Sequence, residues 1–138
     1  MNTNNILDLY YQDDAQGSSL LRTPNGEPYT GLVVETLPSG YVTAEYEVKD
    51  GLKDGLEKEF YAPDEPAQEA HYRRGLLHGD VTFYYPEGGP REKSVFAYGI
   101  CLEEFQWDEA GQLIHHQVLE LPPYQQVMLE NNRKEFGD

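Results

Sequence analysis

Apolar positions along most of this chain alternate with polar ones instead of recurring every three or four residues. Val42, Ala44, Tyr46 and Val48 alternate with Tyr41, Thr43, Glu45 and Glu47, the period-two pattern of a half-buried strand. Leu56 to Tyr61 and Asp80 to Tyr85 are aromatic-rich runs of strand length. Turn-forming residues bound the runs: Pro38-Ser39-Gly40, Asp50-Gly51, Asp54-Gly55, Pro63-Asp64-Glu65-Pro66, Arg74-Gly75, Pro86-Glu87-Gly88-Gly89 and Ala110-Gly111. Glycine and proline recur too densely here for a helix. The pattern changes at Leu121-Pro122-Pro123-Tyr124. Beyond it, 122–136 reads as a short helix, with Pro123 near its start and Val127, Met128 and Leu129 as its apolar contribution. At the other end Ile6, Leu7, Leu9, Tyr10 and Tyr11 predict a strand or strand pair running through Leu20-Leu21 to the Asn25-Gly26 turn.

The strands repeat. Gly51, Gly75 and Gly99 are 24 residues apart, as are Gly31, Gly55 and Gly79, with Glu103 where the next glycine would fall. Aromatic residues keep the same step: Phe60 and Tyr84, Tyr61 and Tyr85, Tyr72 and Phe96, Phe83 and Trp107. No insertion interrupts the register from Tyr29 to Leu113. One unit is then a β-hairpin of two strands and two turns, the tighter turn being Gly-x-x-x-Gly (Gly51–Gly55, Gly75–Gly79). Successive hairpins predict a mainly all-β fold: a single-layer, twisted antiparallel meander over 29–114, within one domain of 138 residues. Residues 1–28 would add an N-terminal strand or cap, and the C-terminal helix would cap the other end.

The fixed step also assigns faces. Glu57, Val81 and Phe105 would form one row, and Glu59, Phe83 and Trp107 the next, with Tyr61 and Tyr85 beyond. That face would run from acidic at one end to aromatic at the other.

The pattern Tyr72-Arg73-Arg74-Gly75-Leu76-Leu77-His78-Gly79, followed by Phe83-Tyr84-Tyr85-Pro86-Glu87-Gly88, resembles the MORN-repeat variant found in bacteria. Tyr46 to Gly55 is a second copy; Tyr29-Thr30-Gly31 and Tyr98-Gly99 begin partial ones. The resemblance implies hairpin repeats. It also implies a binding role, since bacterial proteins with this variant are often described as antitoxins, and comparable small proteins serve as immunity proteins. A MORN-type scaffold without a toxin partner is the alternative.

Charge adds direction. The chain carries 25 Asp+Glu against 10 Lys+Arg, a net −15, which disfavours nucleic acid and anionic membranes and favours a basic protein partner. Nine carboxylates lie between Glu45 and Glu69 against three lysines, a local net of −6. A solvated face that keeps edge strands apart would account for them equally well. The candidate partner-binding residues are Glu45, Glu47, Asp54, Glu57, Glu59, Tyr61, Phe83, Tyr85 and Trp107.

Chemistry is less marked. Cys101 is the one cysteine, and a nucleophile with a distant histidine is the only enzymatic reading it offers. His115 and His116 are adjacent, so in a strand they would point to opposite faces and could not share a metal. His78 reads as part of a turn. No catalytic residue, metal or cofactor is expected. The single cysteine, the absence of a basic leader followed by an apolar run, and the lack of any stretch near the ~20 apolar residues of a membrane helix predict a cytoplasmic protein.

Overall fold

A computed structural model describes residues 2–138. Nine strands form one open sheet, in the order β1 (Thr3–Asn5), β4 (Gly31–Thr36), β5 (Val42–Lys49), β6 (Leu52–Ala62), β7 (Glu65–Arg73), β8 (Leu76–Tyr84), β9 (Pro90–Ala97), β10 (Ile100–Trp107) and β11 (Leu113–Val118). From β4 to β11 it is the antiparallel meander that the repeats predict. It does not close into a barrel. The helix, α1, spans Pro123–Phe136.

The N-terminal segment departs from a simple strand pair. β1 runs parallel to β4, Ile6–Asp8 form a 3-10 turn, and β2 (Tyr10–Asp13) pairs with β3 (Ser19–Arg22) in a separate hairpin. Asn5 ends the short strand because its side-chain oxygen accepts from the Leu7 N–H, closing the turn.

The Gly-x-x-x-Gly segments are not single turns, as the spacing suggests. The first glycine closes a two-residue loop: Asp50-Gly51, Arg74-Gly75 and Tyr98-Gly99 all have positive φ, the type I′ turn that suits twisted hairpins. The second glycine lies inside the next strand. Gly55 and Gly79, both at φ 111°, sit where the β5–β6 and β7–β8 registers slip by two residues. β6 and β8 therefore begin before the runs read from sequence.

Each type I′ turn is fastened to the segment before it. The N–H groups of Asp50, Arg74 and Tyr98 donate to Thr30 Oγ1 (2.9 Å), Asp54 Oδ2 (3.0 Å) and His78 Nδ1 (3.1 Å). The following N–H groups of Gly51, Gly75 and Gly99 donate to the carbonyls of Tyr29, Lys53 and Leu77, all at 2.8 Å. These partners keep the 24-residue step.

The step fails once. At Glu103 the β9–β10 register slips by one residue instead of two, between Cys101 and Glu103. Asp108 then opens the next turn one residue early: Tyr85–Gly89 in one loop corresponds to Asp108–Gln112 in the next. A one-residue shift exchanges the faces of a strand. Val81 lies across from Ser94, which pairs with Glu104, while Phe105 pairs with Lys93 and, through it, aligns with Thr82. The rows Glu57–Val81–Phe105 and Glu59–Phe83–Trp107 therefore do not form. Phe105 and Trp107 lie on the opposite face from Glu57, Glu59, Val81 and Phe83.

The two faces are covered at opposite ends. The first carries Val33, Tyr46 and Val48, buried under Leu21 and Tyr29 with Ile6 and Leu9 alongside. The second carries Ala97 and Ile100, buried with Tyr98 under Leu129 of α1, with Leu102, Leu121 and Phe136 around them. Only Leu129 of the helix is buried; Val127 and Met128 are half exposed. The end of the helix is clasped by β7: Arg73 donates to the carbonyls of Phe136 and Asp138, and the Arg74 guanidinium lies 3.8 Å from the Phe136 ring centroid. The Tyr98 hydroxyl donates to the Gly137 carbonyl.

Two predictions follow from this framework. A Cβ at Gly55 would stand 2.0 Å from Glu47 Oε2, which accepts from the Leu56 N–H, so Gly55→Ala meets both strain and a lost hydrogen bond. Urea unfolding should show a loss of about 2–3 kcal/mol, against about 1 kcal/mol for Gly111→Ala, where φ is also positive but the space is open. Equal losses would remove the steric argument. For His78, burial and then the Arg73 charge hold the imidazole below its ordinary value of 6.5, with Arg133 adding and the Asp138 backbone opposing. Folding thus favours neutral His78. Its contribution is complete above pH 6.5 and is lost as pH falls through the lower folded value. The unfolding midpoint should drop on acidification from pH 7 to about 5, and His78→Asn should flatten that part of the profile; an unchanged slope would show that other groups govern it.

Candidate protein-binding surface

The register sorts the charged residues by face. On the face of Phe105 most carboxylates have a cation or a donor beside them. Glu45 and Glu69 flank Lys58 in adjacent strands, and Asp80 Oδ2 lies 3.7 Å from Lys93 Nζ. Glu103 Oε2 is 2.5 Å from His116 Nε2, and Glu69 accepts from the Tyr84 hydroxyl at 3.0 Å. Lys93 also stands 5.0 Å from the Phe105 ring centroid, which in turn stacks on His116 and Trp107.

The opposite face differs. One row across it reads Glu35, Ala44, Glu59, Gln68, Phe83, Glu92, Gln106 and His115, from β4 to β11. The neighbouring row reads Val33, Tyr46, Glu57, Ala70, Val81, Ser94, Glu104 and Gln117. Among the described residues Glu59, Glu92 and Glu104 have no ion-pair partner. Phe83 lies between Gln68 and Glu92 on this face, with the Arg91 guanidinium 5.8 Å from its ring centroid. Small Ala70, fully buried, lies between Glu57 and Val81 in the middle of the sheet.

Glu57 is the exception among these carboxylates, being only 6% exposed. It pairs with Lys53, whose ammonium also stands 4.6 Å from the Tyr46 ring centroid and 5.1 Å from that of Tyr72. Burial works against the charged lysine, but the hydrogen bond and charge of Glu57 hold its ammonium above the ordinary value. Burial, with Tyr11 and Glu35 nearby, holds the Tyr46 phenol far above its own. This is a unit of carboxylate, ammonium and two phenols in which Glu57 and Tyr46 are buried and Lys53 and Tyr72 half-buried.

The candidate residues read from sequence therefore separate. Glu47 and Asp54 spend their carboxylates on the Leu56 and Arg74 N–H groups, and Glu57 on Lys53. Tyr61 and Tyr85 reach along the loop end of the sheet: their hydroxyls donate to the carbonyls of Tyr84 (2.8 Å) and Trp107 (2.7 Å). Glu45 and Trp107 lie on the Phe105 face. Glu59 and Phe83 share the other, together with Glu92 and Glu104, which the sequence reading passed over. A correct register at Glu103 would have found Glu104.

Comparison with protein-family models, with curated protein sequences and with solved structures found no match to this chain. The site's chemistry rests on its own residues. Burial pushes the Cys101 thiol up, away from the thiolate that nucleophilic chemistry needs. No group of three or more His, Cys, Asp or Glu side chains able to hold a metal occurs among the described residues. No helix among them is long and apolar enough to cross a membrane. The depressions are open: one of 280 Å³ lies between Tyr41, Phe60 and Asp64, and another of 440 Å³ lies beside α1. A face that carries the exposed Glu59 with the half-buried Phe83, Glu92 and Glu104 is suited to engaging another macromolecule.

The distinction between structural and free carboxylates is testable. Lys53→Met leaves Glu57 buried and unpaired and should cost about 2–4 kcal/mol in chemical denaturation. Glu59→Lys, at an exposed position, should stay within about 0.5 kcal/mol of the parent. Similar effects for both would mean that Glu57 is not held by Lys53.

Proposed function

We propose that this chain is an acidic inhibitor of the immunity-protein or antitoxin kind, acting in the cytoplasm on a basic, nuclease-like toxin domain by covering it. The observation that carries this reading is the division of charge. One face sets a cation or a hydrogen-bond donor beside most of its carboxylates, and the other leaves Glu59, Glu92 and Glu104 without an ion-pair partner on the same face as Phe83. Free carboxylates on a rigid sheet attract a basic partner at long range, and an adjacent aromatic ring supplies the apolar contact that holds it. The resemblance of Tyr72–Gly79 and Tyr46–Gly55 to the bacterial MORN-repeat variant supports the same class of function. On this reading the chain carries out no catalysis of its own; it blocks its partner's.

The test is to express the chain together with any basic C-terminal domain of a large secreted protein found in the adjacent gene, reading growth, and then to titrate the purified pair. Binding should weaken as salt rises. Glu59→Lys with Glu92→Lys should weaken it at least about tenfold, near 1.4 kcal/mol, and reduce the salt dependence without lowering the unfolding midpoint. Lack of both binding and protection would overturn the inhibitor reading. Full binding by the doubly reversed chain would overturn the choice of face.

A further inference from the structure

The sheet has one unguarded edge. At its other edge lies β1, three residues long and ended by the 3-10 turn. β11 instead pairs only with β10, so its outward N–H and C=O groups face away from the ladder. Edge strands of monomeric proteins usually carry lysine, proline or a mid-strand bulge that discourages further pairing. Here Ala110 to Leu119 contains no Asp, Glu, Lys, Arg or Pro, in a chain where a quarter of residues are charged. The one irregularity falls at the start of β11, where Ile114 is the extra residue between Leu113 and His115 opposite Trp107 and Gln106, and His115–Val118 follow in even register. Ile114 and Val118 are 63% and 71% exposed.

This strand is complementary to itself. His116 and Val118 lie across from Phe105 and Glu103 and share a face, and the bulged Ile114 stands exposed two residues before His116. In an antiparallel copy aligned on His116, Ile114 of each strand faces Val118 of the other. His116 faces its own counterpart, and on the reverse face His115 meets Gln117. Directly opposed side chains in such a pair have Cβ atoms about 5 Å apart and diagonal ones about 7–8 Å, so Val118 of one copy comes within reach of the exposed Ile114 of the other. No Asp, Glu, Lys or Arg of β11 is brought opposite another, and each His116 on the axis stands beside its own Glu103. A foreign strand would find nothing here that distinguishes it by charge, whereas the symmetric order of side chains fits the same strand reversed.

We propose that two copies of the chain pair through β11, aligned on His116, into one continuous sheet with nine strands from each copy. The twofold axis then stands perpendicular to the sheet, so both α1 helices lie on one side and both acidic faces on the other. This inference is independent of the inhibitor reading, and salt separates the two. Two chains of −15 repel, so dimerisation tightens as salt screens them, whereas a complex with a basic toxin domain loosens.

Sedimentation equilibrium from about 10 µM to 1 mM, at about 50 and 500 mM NaCl, tests it. The expected result is a reversible dimer, several-fold tighter at the higher salt, that becomes monomeric in Ile114→Lys and Val118→Lys with unchanged unfolding midpoints. Register is read by oxidation in a Cys101→Ser background. His116→Cys should give a disulfide-linked dimer because it meets its own copy on the axis, and Gln117→Cys should not. A monomer at every concentration and salt, a dimer that survives both lysine variants, or equal cross-linking at the two positions would each overturn the proposal.

Discussion

Two hydrogen bonds from each type I′ turn to the segment before it hold this sheet in order. A one-layer sheet has no second layer to fix the position of its strands, so register has to be set locally. Here the turn itself does so: Asp50, Arg74 and Tyr98 donate to the side chains of Thr30, Asp54 and His78, and the glycines that follow donate to the carbonyls of Tyr29, Lys53 and Leu77. The acceptor residue changes from threonine to aspartate to histidine while the geometry stays. What the position requires is a side chain with a lone pair, just before a glycine at positive φ. At the next step Leu102 and Glu103 supply neither, and the register changes there.

That failure explains what the sequence could and could not disclose. The period of 24, the strands and the meander were legible because glycine and aromatic residues mark them directly. The split of Gly-x-x-x-Gly into a turn and a bulge was not, since both glycines look like turn residues. Nor was the face of Phe105 and Trp107. Their spacing from Val81 and Phe83 keeps the period in sequence, yet the strand loses one residue of bulge in space. Without glycine at 103 the wide slip seen at Gly55 and Gly79 is replaced by a narrow one. A tally of spacings counts residues, whereas a face depends on how many of them the ladder uses.

The acidity is divided by the same register. Glu45, Lys58 and Glu69 fall into one ladder because adjacent strands place them opposite one another, and Asp80 with Lys93 does so through a diagonal contact. Glu47, Asp54 and Glu57 are held by backbone or by Lys53. Bulk charge therefore overstates what the surface offers. Glu59, Glu92 and Glu104 remain free because their cross-strand neighbours on that face are Gln68, Phe83, Ser94 and Gln106, none of them cationic.

An array of hairpins has to finish somewhere, and this chain finishes its two ends differently. At the first, the segment before the repeats supplies both a face cover and a short parallel strand, so apolar surface and ladder are closed together. At the second, α1 covers Ala97 and Ile100 but crosses the sheet toward Arg73 and Arg74 instead of lying along β11. A helix has no outward main-chain groups to offer an edge, because its own turns consume them. It can seal the core at that end without completing the ladder. The last hairpin therefore meets its packing requirement and leaves its hydrogen-bonding requirement to water or to another strand, and the missing charges on β11 leave that second route open.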